Sequence, residues 1–169
     1  RVLFRSLMTR GANAQVSDTP DDYYIGFYMY GGTICDNGAV NGGGGIYGGV
    51  DQGDDESQRH THLDMTVASA VCENTSSAGG GGIQVGSGDL KIEDGADISS
   101  NTAVSGGGIQ VGSASHFTMS GGSVSYNEAV IGEKNLLGGG IYFSNGSNNQ
   151  LSITGGEIKN NCSKDSGGG

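Results

Sequence analysis

Five times along this chain an apolar residue is followed three positions later by asparagine: Ile34 to Asn37, Val71 to Asn74, Ile98 to Asn101, Val124 to Asn127 and Ile158 to Asn161. Each asparagine leads through a short small or polar step into glycines, at Gly43 to Gly45, Gly80 to Gly82, Gly106 to Gly108, Gly138 to Gly140 and Gly167 to Gly169. Four of these runs are followed at once by isoleucine, namely Ile46, Ile83, Ile109 and Ile141. Ahead of each asparagine unit lies an apolar alternation: Phe27/Met29, Leu63/Met65, Leu90/Ile92, Phe117/Met119 and Leu151/Ile153. Self-similarity at a period of 20 to 50 residues means stacked modules rather than one wrapped core.

Period-two alternation in segments this short specifies strands, since helices need about 10 residues or more. The expected fold is all-β: a right-handed parallel β-helix with three short strands per coil and about five coils, spanning 23–169 and open at its C-terminal end. Each strand would pair with its equivalents above and below at about 4.8 Å. Like residues then form ladders, with isoleucine on isoleucine inside. The asparagines are expected to take a left-handed turn conformation and to bond side chain to side chain along the axis. Glycine at the other corner permits positive φ.

Leu, Ile, Val and Phe together make just under a fifth of the 169 residues, with 35 glycines and a net charge of −10. Such a composition leans towards disorder when its apolar residues are scattered. Here they recur at matching points of each copy, and a slender solenoid has a thin interior to fill. The acidic balance excludes nucleic acid as an expected partner, because phosphates require Lys and Arg. No apolar run is long enough for a membrane-spanning helix.

Residues 1–22, which include Pro20, carry no coil pattern and read as a disordered or non-native leader. The opening RVLFRS, residues 1–6, matches the in-frame translation of a common sequencing-adapter end. With no initiating Met, and a last glycine run one step short of the next isoleucine, the chain reads as a fragment open at both ends. Two insertions interrupt the period, near 48–62 and 128–137, and insertions on solenoids lie outside the stack and often carry function.

The first insertion holds Asp51, Asp54, Asp55 and Glu56, followed by His60 and His62. These acids are weak calcium candidates, set against the reading of a solvated acidic loop, and the spacing matches no known calcium or zinc loop. No metal site and no cofactor is expected. Cys35 and Cys72 fall at the same outward position of successive coils, within disulfide reach, and read as either stacked thiols or a bond. The outward column Tyr47, Gln84, Gln110, Tyr142 suits sugar or protein contact, and equally an ordinary solvated face. The glycine runs are not phosphate loops, because strand rather than helix follows them.

The recurring GGGI and apolar-x-x-Asn units resemble the repeats of bacterial surface β-helix proteins: autotransporter passengers, polymorphic outer-membrane proteins and related adhesin-like proteins, within the pectate-lyase-like architecture. Ile or Val stands here where the polymorphic family has Phe. The resemblance implies an extracellular or cell-surface location and a structural or adhesive role, with a glycan or host surface protein as partner. An alternative is a fragment of a β-helix polysaccharide lyase or glycoside hydrolase. Outward positions Tyr28, Asp64, Lys91, Thr118 and Ser152 offer no stacked carboxylate pair with a base beside it, so no catalytic residue is expected and the chain reads as a non-enzyme.

Overall fold

The computed structural model describes residues 7–9, 15–16, 23–48, 59–132, 135–146 and 148–169. Among them there are strands and turns but no helix. The strands lie in three sheets, and with one exception every pairing is parallel. This all-β arrangement is consistent with a parallel β-helix, each repeat forming one coil.

The first four coils each contribute to four columns of strand where three were expected, and the fifth contributes to the first three. The first column stacks Tyr23–Met29, Arg59–Met65, Gly88–Ile92 and the leading halves of Ser115–Ser125 and Gln150–Lys159. The second stacks Gly32–Cys35, Ser69–Cys72, Asp97–Ser99 and the trailing halves of the same two long strands. Because those long strands run through both columns, the two share a nine-stranded sheet. The third column consists of two-residue strands just after each asparagine, from Gly38–Ala39 to Cys162–Ser163. Its members, such as Thr102–Ala103, are too short and too polar to announce themselves as strand in the sequence. The fourth column is Ile46–Gly48, Ile83–Val85, Ile109–Val111 and Ile141–Phe143.

Register keeps like with like. Leu63, Leu90 and Phe117 pair in line, as do Ile34, Val71, Ile98 and Val124. These ladders fill one continuous interior in which Val71, Ile98, Ile109 and Met119 are wholly buried. Side chains alternate across a strand, so the residues between them face outward.

The corner at the asparagine differs from expectation. Positive φ falls on the residue before each asparagine, at Asp36, Glu73, Ser100, Tyr126 and Asn160, and not on the asparagine. That frees the asparagine side chain to turn inward. Asn74 Nδ2 donates to Ile34 O at 2.9 Å and to Asn101 Oδ1 at 3.0 Å, and the same pair of bonds recurs at Asn101 and Asn127. Asn37 begins the row by donating to Asn74 Oδ1 at 2.9 Å, and Asn161 ends it.

The glycine corner explains its own composition. In four of the five runs the first glycine bends with positive φ, as at Gly80 with 62° and Gly106 with 58°. The third has no room for a side chain: a Cβ on Gly82 would stand 2.8 Å from Gly108 O and 2.9 Å from Asn101 Nδ2. One coil's glycines thus lie directly against the next coil's asparagine.

Two strands fall within the segment 1–22 that the sequence assigns to a leader outside the repeat. Leu7–Thr9 pairs parallel with Ile46–Gly48, and Gln15–Val16 pairs antiparallel with Tyr23–Tyr24. Both lie at the N-terminal end of the stack, where no repeat pattern marks them.

Candidate functional site

The outward positions of the first column bring together residues that are distant in sequence. Register places Gly26, His62, Asp89, His116 and Gln150 side by side on successive coils, with Tyr28, Asp64, Lys91, Thr118 and Ser152 beside them. Asp89 sits between two imidazoles, 3.5 Å from His62 Nδ1 and 3.1 Å from His116 Nδ1. The other ring nitrogen of His62 lies 3.2 Å from Asp64 Oδ1, an oxygen shielded from solvent that has no aligned hydrogen bond. One imidazole therefore spans carboxylates on two coils, although register stacks neither on the other, Asp64 facing Lys91 and Asp89 facing His62. The imidazoles stand in the outward column two residues before that of Asp64, Lys91 and Thr118. Period-two alternation carried that signal.

Aromatic rings extend the cluster towards the first coil. Tyr28 packs tilted against His62 with centroids 5.7 Å apart, and Tyr30 lies parallel to Tyr28 at 6.3 Å. Tyr28 and Tyr30 are 52% and 75% exposed, so both rings offer area to solvent. Beside them Lys91 pairs with Glu93. The hydrogen bond and the charge of Glu93 raise the Lys91 pKa above its ordinary value. The face thus combines flat apolar rings with carboxylate and imidazole hydrogen-bonding groups on a rigid sheet.

The predicted column Tyr47, Gln84, Gln110, Tyr142 is in register on the fourth column, and all four are half-buried. Its side chains lean on the glycine corners. The Tyr47 ring lies against Gly42, and Gln110 lies over Gly79 so closely that a Cβ there would overlap its amide. The Oε1 atoms of Gln84 and Gln110 are shielded from solvent and have no hydrogen-bond partner among the described residues. This column offers less to a ligand than the tyrosine and histidine face.

Cys35 and Cys72, for which the sequence left a bond or free thiols open, form a disulfide across adjacent coils with Cα atoms 4.6 Å apart. Cys162 is free and exposed. The weak calcium candidates Asp51, Asp54, Asp55 and Glu56, and the His60 side chain, lie outside the described residues. Among the described residues no three His, Cys, Asp or Glu side chains are grouped to hold a metal ion. Among the described residues no helix is long and apolar enough to cross a membrane, a finding that says nothing of β-barrels. Comparison with protein-family models, curated proteins and solved structures returned no match.

Proposed function

We propose that this chain is a right-handed parallel β-helix acting as a structural and adhesive module of an exported bacterial surface protein. The handedness follows the general rule for crossovers between parallel strands of one sheet. The reading rests on one observation: in-register strands bring Tyr28, His62, Asp89 and His116 into one outward strip, with Tyr30 stacked on Tyr28. Flat aromatic faces bind the apolar side of a sugar ring or a partner's side chain, while adjacent carboxylates and imidazoles bond its polar groups. A module of this kind works extracellularly or at the cell surface, contacting a glycan or a host surface protein. The GGGI and apolar-x-x-Asn motifs support the assignment by resemblance.

The test is binding of the purified chain to an array of glycans and matrix proteins. Retained binding to at least one class, lost in Tyr28→Ala/Tyr30→Ala while the melting temperature holds, is the expected result. An array without signal contradicts the adhesive reading.

The alternative, a fragment of a polysaccharide lyase or glycoside hydrolase, draws support from His62 standing between Asp64 and Asp89. Glycosidases need two carboxylates flanking the scissile bond. Both acids here are engaged with one imidazole, which favours the non-enzyme reading. Incubation with acidic polysaccharides and calcium is expected to release no unsaturated sugar, and a rise in product absorbance contradicts that.

A further inference from the structure

The charge on the tyrosine and histidine face selects among ligands. Asp64, Asp89 and Glu93 supply carboxylates there, and Lys91 supplies the ammonium, already paired with Glu93. Asp64 and Asp89 have only imidazoles as ion-pair partners among the described residues, His62 for both and His116 for Asp89. Protonating both imidazoles brings these groups no further than neutrality, and in every other state they are net negative. The chain's net charge of −10 adds a field of the same sign. A ligand rich in carboxylate or sulfate therefore finds no attraction on this face, whereas a cationic one does.

Shape narrows the class. The strands that carry His62 and Asp89 are paired on both sides, so they leave no open edge for a peptide backbone to join. What the face offers is the exposed parallel rings of Tyr28 and Tyr30 and a polar row that crosses three coils at His62, Asp89 and His116. An extended chain lying across the coils can set the apolar faces of its rings on the tyrosines and its polar substituents on that row. An ammonium is attracted both by the face of a tyrosine ring and by a carboxylate. Of the two acids without a lysine partner, Asp89 is the more accessible, its side chain 40% exposed against 17% for Asp64.

We infer that this face takes a glycan carrying free amino groups, with sugar rings on Tyr28 and Tyr30 and an ammonium on Asp89. The inference rests on the adhesive reading and names the class of ligand that the same face receives.

The test is titration calorimetry of the purified chain with a glucosamine hexamer, its N-acetylated counterpart, a galacturonate hexamer and hexalysine, at a pH where the amines are charged. The glucosamine hexamer is expected to bind. The N-acetylated hexamer should bind about tenfold more weakly or less, because it lacks the charge-assisted bond, and the galacturonate hexamer should not bind. Asp89→Asn should weaken the glucosamine hexamer to the level of its acetylated counterpart. Asp36→Asn/Glu73→Gln, at the exposed asparagine corner, should leave its binding unchanged. The comparison of ligands on the unmodified chain needs no variant to fold. Equal binding of the acetylated hexamer, or binding of galacturonate, overturns the inference while leaving an adhesive face in place. Hexalysine bound as tightly as the glucosamine hexamer overturns it in favour of a basic protein partner. No binding of the glucosamine hexamer overturns it too, and the adhesive reading falls with it only if the wider array of glycans and matrix proteins is also blank.

Discussion

The side-chain oxygen of Asn127 accepts two hydrogen bonds from Asn101, one from the main-chain N–H and one from the side-chain amide, both at 2.9 Å. Both residues are fully buried. The bonds join chain segments 26 residues apart, so they exist only when the two coils are stacked. The asparagine row is thus a bond between modules, made at each corner where the glycine run leaves space for it.

Glycine should tolerate a methyl group at one position of the stack and refuse it at another. A Cβ on Gly108 would lie 2.7 Å from Gly140 O and 2.9 Å from the Asn127 amide carbon. Gly108→Ala should destabilise by about 1 to 3 kcal/mol or more, the usual cost of overpacking. On Gly38 the nearest atom stands at 4.0 Å, and Gly38→Ala should be neutral or stabilise by up to about 1 kcal/mol through the unfolded chain. Urea denaturation of the two variants checks the contrast, and equal effects would count against close coil-to-coil contact at the glycine corner.

The residue before each asparagine carries strain. Tyr126 has φ of 55° and is 59% exposed. A left-handed conformation costs a residue with a Cβ roughly 1 to 2 kcal/mol, and glycine's greater unfolded freedom offsets about 0.5 to 1 of that. Tyr126→Gly should therefore raise stability by about 0.5 to 1 kcal/mol. A loss of stability in thermal melts would show that the tyrosine ring contributes more than its backbone costs.

The disulfide closes a loop with a sequence separation of 37. Cross-linking a loop of that length stabilises by about 2 to 4 kcal/mol in the chain-entropy account. Reduction, or Cys35→Ser/Cys72→Ser, should lower the melting temperature correspondingly. Alkylation of Cys162 should change it little, because that thiol is exposed and unpaired. A melting temperature indifferent to reductant contradicts the pairing.

Much of the architecture is legible from spacing. Asparagine and glycine at fixed offsets mark where the chain must turn, and Leu90/Ile92 or Phe117/Met119 mark strand faces by alternation. Three features escape that reading for physical reasons. The positive φ belongs to residues as unlike as Asp36, Ser100 and Tyr126, because the stack imposes it against their local preference. Strands of two residues, such as Glu128–Ala129, exist through pairing alone. Leu7–Thr9 joins the fourth column from outside any repeat. At the candidate site, Tyr28 and His62 become neighbours through a register that bypasses a long insertion, and no local window of sequence contains both.

A double-mutant cycle on Asn101 and Asn127 tests the stacked ladder most directly. Asn101→Ala removes partners from Asn74, Val71 O and Asn127 together. Each buried group left unpaired costs about 1 to 3 kcal/mol, so the single substitution should cost about 3 kcal/mol or more. Because the two asparagines share bonds, their combined substitution should cost less than the sum of the singles by at least about 1 kcal/mol. Asn37 and Asn127, which do not touch, should add within about 0.5 kcal/mol. Additivity for Asn101 with Asn127 would contradict the ladder on which the whole account stands.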